Sequence, residues 1–73
     1  MQFDPQALRR YRLAQTLSRD DLATKADVSP ETIRLLEAGT VTEPRAATLR
    51  ALCDALGVLP LDLYSDSTPE AVA

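Results

Sequence analysis

Residues 17–39 read LSRDDLATKADVSPETIRLLEAG, and two helix starts are written into them one after the other. Ser18 is an N-cap acceptor with an acid, Asp21, three residues on. That is a capping box, in which a hydroxyl and a carboxylate each take a backbone N–H, and Leu17 is placed to staple onto Leu22. A helix over about residues 19 to 26 follows. Ser29 and Pro30 then repeat the signal as cap and first helical residue, Val28 can staple onto Ile33, and Gly39 closes the helix in the left-handed conformation. Asp27 and Val28 alone separate the first of these helices from the cap of the next. A turn that short cannot lay two helices antiparallel along their length, so they cross steeply and the later one projects from the body.

The same signals extend outward. Phe3, Asp4 and Pro5 supply a staple residue, a cap and a first-position proline for a helix over about 5 to 16, with Phe3 facing Leu8. A loop over residues 40 to 44 is followed by Leu49, Leu52, Cys53 and Leu56 at helical spacing, and Gly57 ends that helix. Pro60 can start a last short helix reaching Tyr64. The nine residues SDSTPEAVA are polar, small and acidic. The chain is therefore read as all-α, a compact five-helix domain over residues 1–64 with a flexible acidic C-terminal tail over residues 65–73. It has no strand-like alternation and no linker between domains.

A chain of 73 residues buries only ~60% of the surface its unfolded form exposes, so every helix must contribute to one core. Three aromatic residues, Phe3, Tyr11 and Tyr64, and an ordinary apolar fraction argue against disorder. Histidine is absent and Cys53 is the lone cysteine, so neither a metal cluster nor a histidine-based catalytic group can be assembled from these residues. No enzyme activity, metal, cofactor or small-molecule substrate is expected. The lone thiol, the absence of an apolar run near ~20 residues and an N-terminus without a signal-peptide plan point to the cytoplasm, with no membrane partner.

Net charge is −3 but unevenly spread. All eight cations lie in residues 1–50 beside seven acids, whereas residues 51–73 hold four acids and no cation. The overall acidity therefore understates what one face can present to a polyanion.

The run LRRYRLAQTLSRDDLATKADVSPETIRLLEAG, followed by PRAATLRALCDALGV, resembles the phage-repressor helix-turn-helix family, of the lambda-repressor, Cro and XRE type. The resemblance covers roughly residues 8 to 64. Its points of match are Arg12 in the first helix; Leu17, Ser18, Asp21, Leu22 and Ala23 opening the second; Val28 and Ser29 before the third; Ile33, Glu37 and Gly39 closing it; and Thr48 to Val58 in register behind.

The resemblance implies a helix-turn-helix formed by the second and third helices, and a structural ion pair between Arg12 and Glu37. It also implies phosphate contacts at the start of the second helix and in the loop after the third, with the third helix in the major groove of double-stranded DNA. On this sequence the DNA-contacting positions are Arg19, Ser29, Glu31, Thr32, Arg34, Leu35, Thr40 and Arg45. Arg19 stands where the family commonly has glutamine, and residues 40–43 stand where relatives often carry cations. Glu31 can accept from a cytosine amino group, Arg34 can reach guanine or phosphate, and Leu35 can cover a thymine methyl. Leu59 and Leu61 replace residues that are often polar and, with Val41 and Leu13, offer apolar surface for a dimer or partner interface.

Two functions remain open at this stage. One is a small dimeric repressor-type regulator reading a partly palindromic operator through the third helix, located on the nucleoid when bound. The other is a protein-interaction module on the same fold that has largely lost DNA binding, as the acidic balance and the cation-poor loop suggest.

Overall fold

The structure is a computed structural model and describes residues 2–65. Of the tail expected over residues 65–73, residues 66–73 lie outside them. Strand β1 (Gln2–Phe3) leads into helices α1 (Pro5–Ala14), α2 (Arg19–Ala26), α3 (Pro30–Ala38) and α4 (Ala46–Leu56). A 3-10 turn at Pro60–Leu63 and strand β2 (Tyr64–Ser65) follow. The strands pair antiparallel, Gln2 with Ser65 and Phe3 with Tyr64.

Three helix starts follow from the caps. Gln6 N–H donates to Asp4 Oδ1 at 2.9 Å ahead of Pro5. At α2 the capping box is closed in both directions: Asp21 N–H donates to Ser18 Oγ at 2.9 Å and Ser18 N–H to Asp21 Oδ2 at 3.1 Å. At α3 Thr32 N–H donates to Ser29 Oγ at 3.1 Å. Each cap takes up a backbone donor that the first turn leaves without a helical partner. Gly39 (φ +80°) and Gly57 (φ +70°) close α3 and α4 in the left-handed region, where a side chain is disfavoured.

Two expectations are corrected. The described residues hold four α-helices, not five. The segment after Pro60 makes only a 3-10 turn, because Tyr64 leaves it in extended backbone (φ −117°, ψ 150°) before an i to i+4 ladder can form. The paired strands were also not expected. Each is two residues long and carries no alternation to read, and Ser65, assigned by sequence to the tail, pairs with Gln2. In addition α1 stops at Ala14 rather than near residue 16. Thr16 turns the chain with φ +55°, and Leu17 N–H returns to the Arg12 carbonyl at 3.1 Å.

The core is built on Leu8, Leu22, Ile33, Leu36, Leu52 and Leu63, all fully buried. Every α-helix and the 3-10 turn contribute at least one of these. At roughly 1.5–3 kcal/mol per buried aliphatic side chain, they are the main source of stability in so small a domain. Phe3 caps this core from β1 and meets Tyr64 edge to face at 5.7 Å between ring centroids. Gln15 Nε2 donates to the Leu56 carbonyl at 2.7 Å, tying the end of α1 to the end of α4.

Candidate nucleic-acid interface

α2 ends on Asp27 in the left-handed conformation (φ +59°), and Val28 N–H returns to the Ala23 carbonyl at 3.0 Å. The next residue is already the Ser29 cap of α3. Ile33 and Leu36 hold the inner face of α3 in the core, so Glu31, Arg34 and Ala38 stand exposed, with Thr32 and Leu35 half-buried beside them.

The end of α3 is anchored by Arg12. Its Nε donates to Glu37 Oε2 at 2.6 Å, its Nη2 to Glu37 Oε1 at 3.0 Å and its Nη1 to the Leu17 carbonyl at 2.8 Å. Both side chains are only 8% exposed. One guanidinium thereby fixes α1, the approach to α2 and the last turn of α3, which sets the angle at which α3 is presented.

Five of the eight expected DNA-contacting residues line one of two hollows beside α3. On one side Thr32, Leu35 and Arg45 line a groove of about 400 Å³ together with Leu36, Val41, Glu43, Pro44 and Thr48. Val41 is half-buried against the core here, so it is not the free apolar surface that was expected of it. Arg45 is exposed as the N-cap residue of α4 and makes no side-chain cap bond. On the other side Arg19 and Arg34 line a cleft of about 260 Å³ with Arg9, Arg12, Glu37 and Ala38. Ser29, Glu31 and Thr40 are exposed but line neither. The Ser29 hydroxyl is engaged with Thr32 Oγ1 at 2.8 Å.

Two carboxylates, Glu31 and Glu43, are held by local hydrogen bonds. Glu31 is bound by Arg34, whose Nε donates to Oε1 at 2.9 Å and whose Nη2 donates to Oε2. That hydrogen bonding holds the Glu31 carboxyl below its usual range and pushes the Arg34 guanidinium up. In the loop Glu43 accepts from the Tyr64 hydroxyl at 2.8 Å. Desolvation first, then this bond, pushes the Tyr64 phenol up to about 12. The loop's one acid is thus tied to the strand pair.

Sequence reasoning did not single out Arg9 as a residue of this cleft. A signal for it existed: it lies three residues before Arg12, and residues at that spacing share one face of a helix. Leu59 and Leu61 are 68% and 65% exposed and Leu13 is 50% exposed. Of these, Leu59 borders a further groove on α4, with Leu49, Cys53 and Val58. Burial, followed by Asp54 and Asp62, pushes the Cys53 thiol up, which makes it unreactive packing material. Among the described residues, no group of His, Cys, Asp or Glu is placed to hold a metal ion, and no helix is long and apolar enough to cross a membrane.

Two capped helices joined at Asp27 and Val28, the second with one face exposed, define a helix-turn-helix DNA-binding domain. The chain belongs to the helix-turn-helix family of the phage-repressor, XRE type, which residues 8–63 match, and it is a DNA-binding regulator of transcription. It is similar to the restriction-modification controller protein C.AhdI from Aeromonas hydrophila. That structure superposes with a TM-score of 0.76 at 27% identity, covering 82% of this chain and 89% of the controller protein. It is also similar to part of a hydroxyethylphosphonate dioxygenase, with a TM-score of 0.74 at 28% identity, covering 93% of this chain and 14% of the dioxygenase. No curated protein matches the chain.

Proposed function

We propose that this protein is a sequence-specific regulator of the small repressor type, working as a homodimer on a partly palindromic operator that each protomer reads through α3. The observation that carries this reading is the placement of α3. Its exposed Arg34 lines a cleft with Arg19 on one side, and its Thr32 and Leu35 line a groove with Arg45 and Glu43 on the other. Cations on both flanks of a projecting helix suit the two phosphate strands that border a major groove. Similarity to a restriction-modification controller protein over most of both chains supports the same reading.

Glu31 and Arg34 form a compact reading head, since a carboxylate accepts from a cytosine amino group and a guanidinium donates to a guanine edge. The half-site is accordingly expected to contain a G·C pair at the centre of the α3 footprint. A single domain with so few phosphate contacts binds weakly. Pairing two half-sites through the exposed Leu59 and Leu61 recovers the affinity. The protein would then act in the cytoplasm, on nucleoid DNA.

The test is fluorescence anisotropy with genomic duplex fragments at low salt. Tight, fragment-selective binding is expected, and indifference to every fragment at concentrations where the protein is dimeric would overturn the proposal. One observation favours the interaction-module alternative: Arg34 is already neutralised by Glu31. That alternative requires a protein partner that covers α3 and competes with nothing on DNA.

A further inference from the structure

The loop between α3 and α4 carries opposite charges close together. Glu43 precedes Arg45 by two residues, and they are the one acid and the one cation lining the groove beside α3. An ion pair between them is the contact their spacing favours, yet among the described residues Arg45 has no ion-pair partner. The Glu43 carboxylate is taken instead by Tyr64, whose hydroxyl donates to Oε2 at 2.8 Å across 21 residues of sequence. Among the described residues this is the one side-chain hydrogen bond made by residues 40–45.

Tyr64 is a fixed point from which to hold an acid. Its backbone pairs with Phe3 in the antiparallel ladder, and its ring meets the buried Phe3 ring edge to face at 5.7 Å. Gln2, Phe3 and Pro5 line a second hollow, of about 500 Å³, together with Thr42 and Glu43. Glu43 therefore stands on the divide between the groove of Arg45 and this strand-side hollow. The phenol, pushed up to about 12 by desolvation and by the Glu43 bond, keeps its donor proton through the neutral range. A hydrogen bond of ordinary net worth biases the carboxylate toward this seat roughly three- to tenfold. The other seat would oppose DNA binding. A carboxylate on Arg45 cancels the charge that the groove offers a phosphate, and a free one in the groove repels it.

We propose that Tyr64 is a positioning residue for the DNA interface: its hydroxyl holds Glu43 on the strand side of the loop and so leaves Arg45 available to a backbone phosphate. Tyr64 touches no DNA and acts only through Glu43. The inference rests on the DNA-binding reading above.

The experiment is a double-mutant cycle on the full chain. Wild type, Tyr64→Phe, Glu43→Gln and the double variant are titrated by anisotropy against a fluorescein-labelled duplex of mixed sequence, over ~50 to ~200 mM salt. Tyr64→Phe keeps the ring on Phe3 and deletes only the hydroxyl. It should weaken binding roughly three- to tenfold at the lowest salt and lower the slope of log affinity against log salt by about 0.9, the loss of one phosphate contact. In the Glu43→Gln background the same change should do neither, because no carboxylate is left to release. A loss of equal size in both backgrounds means that Tyr64 only braces the loop, and it overturns the proposal, as does the absence of a loss in either. Cooperative thermal melts will show that the variants fold.

A measurement without DNA separates this proposal from the reading it rests on. The Arg45 Nε–Hε resonance should shift in Tyr64→Phe as the released Glu43 reaches Arg45. In the double variant it should stay where Glu43→Gln alone leaves it. An Arg45 resonance indifferent to Tyr64→Phe overturns the hold of Tyr64 on Glu43, even where duplex binding is intact. If the resonance moves as expected but the wild type ignores every duplex, the DNA-binding reading fails and the positioning role falls with it.

Discussion

Arg34 grips Glu31 one turn earlier on the same face of α3, with Nε donating to Oε1 at 2.9 Å and Nη2 to Oε2. Both side chains remain more than half exposed. The two groups best suited to reading bases are therefore bound to each other in the free protein, and DNA must exchange this fork for contacts of equal quality. A phosphate offers only Arg34 a partner and repels Glu31. A guanine beside a cytosine offers both a partner. On the proposed reading, the fork would discriminate against non-specific contact.

Glu31→Gln frees the guanidinium. It should raise affinity for a mixed-sequence duplex several-fold and narrow the gap between operator and non-operator DNA. The Glu31 carboxyl is held below its ordinary value of 4.5 chiefly by the hydrogen bond from Arg34. Its contribution to helix stability is therefore present above that value and is lost as pH falls through the lower folded value. Non-specific binding should strengthen over the same acid range, less so in the Glu31→Gln variant. Anisotropy titrations of both proteins at several pH values would measure this, and identical profiles would remove Glu31 from the account.

The Arg12–Glu37 pair is nearly sealed from water, with both side chains 8% exposed. Removing one partner leaves a buried charge unanswered, at a cost of about 3 kcal/mol or more. Arg12→Leu and Glu37→Leu should each shift the urea midpoint down by a large fraction of the stability of so small a domain. The double variant should recover part of the loss, since a matched apolar pair carries no stranded charge. Losses that simply add would contradict this.

Thr16 holds φ at +55° as a β-branched residue, a conformation that suits asparagine or glycine better. Thr16→Asn should stabilise the fold by about 0.5–1 kcal/mol, seen as a higher melting temperature. Gly39→Ala should destabilise by about 1 kcal/mol for the converse reason. A methyl group there meets nothing within 4 Å, so the cost is purely that of the backbone at φ +80°.

Tyr64 resists ionisation up to about 12, through desolvation and the bond to Glu43. A raised phenol value means that its contribution to stability is complete below pH 10 and is lost as pH climbs to about 12. Tyr64→Phe should abolish that alkaline loss and keep the contact with Phe3, at a cost below about 1 kcal/mol near neutral pH. Thermal melts across the alkaline range, with ultraviolet detection of phenolate, would show it.

Leu59 and Leu61 are the most exposed of the large apolar side chains among the described residues. If they form the proposed dimer contact, Leu59→Ser with Leu61→Ser should yield a monomer in sedimentation velocity. Operator affinity should then fall by roughly a hundredfold as the second half-site becomes an independent event. A dimer that persists with unchanged mass would place the interface elsewhere.

The sequence by itself determined the order of the four helices and where three of them begin. The reason is that caps are local. Asp4 with Pro5, Ser18 with Asp21, and Ser29 with Pro30 satisfy backbone donors within three residues, and Gly39 and Gly57 answer a conformational need at a single position. The resemblance to a known family added the partner of Arg12, which no spacing of 25 residues could have supplied.

Only the tertiary structure decided the rest. The strands of residues 2–3 and 64–65 are too short to carry a pattern, and they exist because the core brings the two ends of the domain together. The segment after Pro60 had the signals of a helix start but not the length for an α-helical ladder. The pairing of Arg34 with Glu31, by contrast, is local, since residues three apart on one helix are neighbours. Arg9, an ordinary surface cation in the sequence, comes to line a cleft with Arg19 and Arg34 only because α1, α2 and α3 pack together. Charge can be counted along a chain, but whether a charge is spent or free depends on side-chain distances, set within one helix for Glu31 and Arg34 and by helix packing for Arg12 and Glu37.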